Sequence, residues 1–125
     1  MEPIFTVNSP TNREIVLSHD TFWYHIVGDH DIERANLANE KSLIQIASVI
    51  ENPSFILKDK NHEKRNNYYG IRQNPSNNSY QNVKIVTEII DETHGEVVTM
   101  HYLSKLDVSI DGREIIYDQY SPEQE

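Results

Sequence analysis

Two segments in the second half of the chain alternate apolar and polar side chains with a period of two. They span residues 83–90 and 97–103 and are separated by the polar stretch DETHGE. This alternation is typical of strands with one buried face, and a short polar connection joins antiparallel neighbours. The two segments therefore predict a β-hairpin.

The same alternation assigns the two faces of the second strand. Val98, Met100 and Tyr102 share one face, which is the better candidate for the core. We expect a helix over residues 39–51 to pack on these three side chains. Thr99 and His101 then lie on the other face, directed away from the helices.

The first half of the chain shows helical spacing instead. Apolar residues recur three and four positions apart over residues 39–51, and Asn52-Pro53 predicts the end of that helix. Ser18 and Asp20 are N-cap candidates for a shorter helix over residues 20–27, which Gly28 would stop.

Further short strands are predicted at residues 14–17, 54–57, 68–72 and 114–117, with a polar, basic loop over 58–67. This order predicts an α+β fold, with N-terminal helices packed on one face of a C-terminal antiparallel β-sheet. A length of 125 residues indicates one domain. We expect an ordered core over 14–118, an extended segment over 1–13 and an acidic tail over 119–125.

Composition excludes several classes of function. The chain has no cysteine, so thiolate catalysis and cysteine-ligated metal sites are excluded. No apolar run approaches the ~20 residues of a membrane span, and no signal peptide is visible, which predicts a cytoplasmic protein without membrane contact. A net charge of -9 argues against broad attachment to nucleic acid or anionic lipid.

Histidines are the first candidates for chemistry. His25 and His30 are five residues apart, not the four of a helical zinc pair, so we expect neither a metal nor a cofactor. His25 either packs beside Trp23 or acts as a general acid or base, because the histidine pKa lies near neutrality. The same two interpretations apply to His101 beside Thr99.

A local basic cluster supplies the second set of candidates. Lys64 and Arg65 belong either to a solvated loop or to a phosphate site, since guanidinium binds two oxygens at once. Tyr69 is either an ordinary strand aromatic or a platform for a nucleobase. Arg72 ends the same predicted strand and is a further candidate for substrate contact. Together these groups are the parts of a metal-independent ribonuclease.

The order of short motifs strengthens this interpretation. The run LSHDTFWYHIVG (17–28) precedes a helix ending in IENP (50–53), then FILKD (55–59), RNNYY (65–69) and the hairpin VKIV…VVTMHY. Over residues 14–105 this order resembles the phage-associated branch of the barnase–EndoU–colicin–RelE (BECR) ribonuclease superfamily.

The resemblance implies a helices-then-sheet fold and metal-independent RNA cleavage, in which the ribose 2′-hydroxyl attacks the adjacent phosphate. It implies that His25 is the acid or base, that Arg65 is the basic position ahead of the sheet, and that Thr99 is the late-strand hydroxyl. His30, Tyr69 and His101 lie near these positions in the pattern, so His30 and His101 are added to the catalytic candidates.

Two functions follow as expectations. The first is a toxin-like endoribonuclease that cleaves RNA, with tRNA among the candidate substrates, and that a cognate inhibitor or antitoxin holds. The second is a non-catalytic, acidic, phage-type interaction or inhibitor protein that binds a basic protein partner or mimics nucleic acid. Convergence of His25, Arg65 and Thr99 in one cleft would favour the first, and placement of the three side chains on different faces would favour the second.

Overall fold

The computed structural model describes residues 2–27, 40–75, 77–103 and 115–119. These residues form one mixed sheet of seven strands, curled into a half-barrel, and two helices. The strands are β1 (Phe5–Asn8), β2 (Glu14–Leu17), β3 (Phe55–Lys58), β4 (Arg65–Gln73), β5 (Tyr80–Ile89), β6 (His94–Leu103) and β7 (Ile115–Asp118). Their order across the sheet is β1-β2-β6-β5-β4-β3-β7.

The predicted α+β fold, with N-terminal helices packed on a C-terminal antiparallel sheet, is wrong. The chain is mostly sheet, and its first two strands precede the helices and join that sheet. β2 runs parallel to β6, with Glu14 opposite His94 and Val16 opposite Glu96. This pairing joins segments far apart in the sequence, so no local pattern reports it.

The longer helix agrees with its prediction. Helix α1 spans Glu40–Glu51 and ends just before Asn52-Pro53. Ile46, Val49 and Ile50 are fully buried on the sheet, whereas Ile44 is 60% exposed on the outer side. One stripe of the helix therefore closes the core, as expected for an amphipathic helix.

The shorter helix forms one π-helical segment, Thr21–Val27. The Ser18 hydroxyl accepts a hydrogen bond from the Thr21 N–H at 3.0 Å, which caps the first turn. Phe22 and Ile26 are buried in the same core cluster as α1. The segment therefore lies on the side of the sheet that carries α1. The predicted stop at Gly28 falls outside the described residues.

The predicted hairpin is confirmed, because β5 and β6 pair antiparallel from Asn82–Leu103 to Ile89–Gly95. The predicted core face of β6 is right for Met100 and Tyr102 but wrong for Val98. Val97 is the buried residue, at 1% exposure. Thr99 lies opposite Val86, while Val97 lies opposite Thr87. Val98 is thus the extra residue of a β-bulge. Because of this residue, Val97 faces the core as Met100 does, although the two are three positions apart.

The β5–β6 turn anchors β2. The Asp91 carboxylate accepts the Thr93 N–H at 2.8 Å and lies 2.9 Å from His94 Nδ1. These hydrogen bonds, led by that of Thr93, lower the pKa of Asp91 to about 2. The Thr93 carbonyl then accepts the Glu14 N–H at 2.8 Å. A locally determined turn therefore fixes where the parallel pair begins.

Gly95 of β6 lies close to atoms of both neighbouring strands, β2 and β5. A Cβ there would lie 2.9 Å from Ile15 Cδ1 and 3.0 Å from the Glu88 carbonyl oxygen. At Gly70 the nearest atoms are side-chain ends, Arg72 Nη1 at 3.2 Å and Val49 Cγ2 at 3.3 Å. A flexible side chain yields to a new methyl group more easily than backbone does.

We therefore expect Gly95→Ala to lower the free energy of unfolding by about 1–3 kcal/mol through overpacking. Gly70→Ala is the matched control and should cost less. Urea unfolding of both variants tests this, and equal stability of Gly95→Ala and the wild type would show that β2 is not held this closely to β6.

Candidate functional site

The register of β4, β5 and β6 separates their side chains onto two faces. Tyr68, Ile85 and Met100 are opposite one another and belong to the core cluster under α1. Their strand neighbours point the other way, because successive side chains alternate. We call this other side the second face of the sheet.

Three cross-strand rows of the second face contain residues predicted for the site, each row with one residue from β4, β5 and β6. The rows are Arg65–Glu88–Glu96, Asn67–Val86–Thr99 and Tyr69–Lys84–His101. Four of the residues predicted for the site therefore share one face: Arg65, Tyr69, Thr99 and His101.

Thr99 and His101 are half-buried and lie two residues apart, which separates their Cα atoms by ~7 Å. Lys84 lies directly opposite His101 on β5. Arg65 is two strands across from Thr99 and two residues along, a Cα separation of roughly 12 Å. Lys84 is thus the cationic cross-strand partner of His101, and the sequence analysis did not select it.

Arg65 is already paired. Its Nε lies 3.3 Å from Glu88 Oε1, with the two side chains 30% and 40% exposed. Pairs this exposed contribute about 0–1 kcal/mol, so a phosphate can compete for the guanidinium. The prediction that residues 58–67 form a loop is wrong at both ends, because Lys58 belongs to β3 and residues 65–67 belong to β4.

Asp59 organises the basic loop that precedes Arg65. Its Oδ2 accepts the N–H groups of Asn61 and His62, both at 3.0 Å, and its Oδ1 accepts the Asn67 amide at 3.0 Å. Burial raises the pKa of Asp59, but these three hydrogen bonds and the nearby His62 outweigh it, so the pKa lies below its ordinary value. The loop carrying Lys60 is therefore fixed by an ionised carboxylate.

Asn67 contributes a second feature of this region. Its side chain is 1% exposed, and its Oδ1 has no hydrogen-bond partner among the described residues. An unsatisfied buried acceptor is uncommon in folded proteins. Asn67 is a further functional candidate. The sequence analysis missed it because two consecutive Asn residues are typical of a loop, not of a buried strand.

Two substrate-binding candidates have structural roles instead of open positions. Tyr69 is 1% exposed and stacks on Phe55, with ring centroids 4.8 Å apart. Arg72 lies on the core face, where its Nε donates to Ser48 Oγ of α1 at 2.9 Å. Partial burial lowers the pKa of its guanidinium. Arg72 is an odd number of residues from both Arg65 and Tyr69 along β4. The alternation of side chains therefore places it on the opposite face of the sheet.

The remaining candidates lie elsewhere. Lys64 has an exposed side chain just before β4, and its carbonyl accepts the Ile89 N–H at 2.6 Å. His25 belongs to the π-helical segment on the side of α1, and its side chain lies outside the described part of the structure. His30 falls in the undescribed range 28–39. The structure therefore does not bring His25 together with Arg65 and Thr99.

The described residues also bear on two other features, a metal centre and a membrane-spanning helix. Among these residues, no three His, Asp or Glu side chains are grouped to hold a metal ion, and no helix has the length and hydrophobicity of a membrane span. An open groove of about 420 Å³ lies beside β2, away from the three rows. It is lined by Glu2, Pro3, Val16, Ser18, His19 and Asp20.

No protein-family model, curated protein or solved structure matches this chain. The assignment of function therefore depends on the geometry of the second face.

The role of Asp59 has a pH-dependent consequence. Since its folded-state pKa is depressed, its stabilisation is present above the ordinary value of 3.8 and is lost as pH falls through the folded value. Asp59→Asn should lower the free energy of unfolding by about 1–2 kcal/mol at neutral pH, and the difference should vanish in acid. Urea unfolding across acid and neutral pH measures this. Glu63→Gln, in the same loop, is the control, and a deficit that persists in acid would contradict the assignment.

Proposed function

We propose that this protein is a metal-independent endoribonuclease whose chemistry takes place on the second face, in the cytoplasm, under control of a cognate inhibitor. The observation that carries the proposal is the placement of Lys84, Thr99 and His101 side by side, opposite α1. Arg65 and the loop that Asp59 fixes lie at the border of the same face.

Each group has a role that suits transfer of a phosphoryl group within RNA. The neutral His101 imidazole takes the proton of the ribose 2′-hydroxyl as that oxygen attacks phosphorus. The bond from phosphorus to the 5′-oxygen breaks, and that oxygen takes a proton from the Lys84 ammonium. The product is a 2′,3′-cyclic phosphate, and both side chains regain their starting states by exchange with water.

Charge builds on the non-bridging oxygens during attack, and donors fixed beside them lower the barrier. Thr99 donates a hydrogen bond to one of these oxygens. Arg65 neutralises the phosphate of a neighbouring nucleotide once that phosphate displaces Glu88. We give the imidazole role to His101 instead of His25, because His101 shares its face with Thr99.

A specific observation favours the second candidate function. Glu88 and Glu96 occupy two of the three positions in the row of Arg65, and the whole chain carries a charge of -9. An acidic interaction protein would use these carboxylates to bind a basic partner, and it would need neither Lys84 nor His101.

The catalytic assignment is tested with single-stranded RNA in EDTA. We expect the wild type to cleave RNA but not the 2′-deoxy analogue, and His101→Ala to reduce cleavage about 10²–10⁴-fold. His19→Ala, an exposed histidine beside the groove, is the matched control and should retain full activity. Absence of cleavage by the wild type, or full activity of a folded His101→Ala protein, would refute the assignment.

Glu88→Gln distinguishes the two functions. It removes the ion-pair partner of Arg65 with little change of shape, so an RNA-cleaving enzyme should gain a few-fold in kcat/KM. An interaction protein would instead lose affinity for its basic partner. A loss of kcat/KM in Glu88→Gln would show that Glu88 positions Arg65 for the reaction and does not compete with the substrate.

A further inference from the structure

Tyr80 is the most exposed large apolar side chain among the described residues. It begins β5, and 74% of its surface is accessible. The register places it on the second face, next to Ile71 of β4, which is 58% exposed. Leu103 lies across from Asn82 at the level of Ile71 and is half-buried. An aromatic ring therefore stands in the open beside two aliphatic side chains.

The backbone that carries this ring is held by several hydrogen bonds. The β4–β5 connection is closed by hydrogen bonds from Asn74 N–H to the Ser79 carbonyl and from Asn78 N–H to the Asn74 carbonyl, each 2.8 Å. The Gln73 amide donates to the Asn78 carbonyl at 3.0 Å. Gln73 is also the direct cross-strand partner of Tyr80. The backbone that carries the ring is thus already ordered, so binding of a ligand has to order only the Tyr80 side chain.

The charges of the residues beside Tyr80 indicate which kind of ligand would bind there. In the described parts of β4, β5 and β6, the row Ile71–Asn82–Leu103 and the row Tyr69–Lys84–His101 contain no carboxylate. Lys84 is the cation between Tyr80 and His101. A flat aromatic platform beside a cation fits an unpaired nucleobase with its attached phosphate. A basic protein partner would meet only positive charge in these two rows.

We propose that Tyr80, with Ile71 and Asn82, forms a stacking subsite for an unpaired nucleobase, which restricts this protein to single-stranded RNA. The inference rests on the proposed ribonuclease function and adds its substrate class. Tyr80 supplies the stacking surface, and the Asn82 amide lies one position further along the same face, within reach of a base edge. The Cα atoms of Tyr80 and Lys84 are ~13 Å apart along β5, so the stacked base neighbours the nucleotide at His101.

Paired bases cannot use this subsite, because both of their faces are covered by neighbours in the helix. Stacking on an aromatic side chain contributes about 1–3 kcal/mol per base. Loss of the ring should therefore weaken binding of a single strand by about 5- to 150-fold. Binding of a duplex should not change, since a duplex does not reach the ring.

The test measures binding and cleavage separately. Fluorescence anisotropy with a 2′-O-methyl single strand, which lacks the attacking hydroxyl, reports affinity without reaction. We expect Tyr80→Ala to lose affinity by the factor above, Tyr80→Phe to retain it, and the corresponding duplex to bind weakly to all variants. Ile44→Ala, an exposed apolar residue of α1 on the other side of the sheet, is the matched control.

The outcomes separate this inference from the proposed function. Binding of the single strand that depends on Tyr80, without cleavage of natural RNA, supports the subsite and overturns the enzyme. Cleavage with the same KM in Tyr80→Ala and the wild type overturns the subsite and leaves the enzyme. Equal affinity of Tyr80→Ala and the wild type, or tighter binding of the duplex, also refutes the subsite. A wild type that binds no RNA at all refutes both.

Discussion

The extra residue in β6, Val98, determines which side chains of this strand face the core and which lie on the second face. The bulge at Val98 lets Val97 and Met100 both enter the core, although an odd and an even position of a regular strand face opposite ways. Gly95 and Val97 can therefore pack against β2 and β5, while Thr99 and His101 are directed to the second face. The parallel β2–β6 pair and the candidate site both depend on this one irregularity. Bulges beside functional sites commonly re-aim a side chain in this way.

Electrostatics divide the second face into unlike regions. The row of Arg65 carries two carboxylates, whereas the rows of Lys84 and Ile71 carry none among the described strands. A net charge of -9 is therefore compatible with an anionic ligand if that ligand follows β5 and β6. At ordinary salt, exposed charges further apart than about 8–10 Å are largely screened, so the local arrangement matters more than the total.

Local patterns predicted the local elements and failed where contacts are distant. Helix α1 and the β5–β6 hairpin have strong periodicities, so both were predicted within a few residues. β1 was missed because it has four residues at the sheet edge, with half-buried and exposed positions in turn. The position of Lys84 was readable from the alternation of the hairpin, and the separation of Arg72 from Tyr69 was readable from the alternation of the predicted strand over 68–72. The pairing of Arg65 with Glu88 and the burial of Asn67 were not, since both depend on neighbouring strands.

The two sides of the second face differ in burial, and this difference supports placing the proposed chemistry on β5 and β6. On the side of β3 and β4, Tyr69 stacks on Phe55 and Asn67 donates to Asp59, and the Tyr69 and Asn67 side chains are almost completely buried. Such groups cannot turn towards a ligand without breaking their packing. Tyr69 and Asn67 therefore border the candidate site and do not bind a ligand directly. Lys84, Thr99 and His101 remain partly accessible beside them. The proposed reaction needs donors that a substrate can reach, and Lys84, Thr99 and His101 meet this condition.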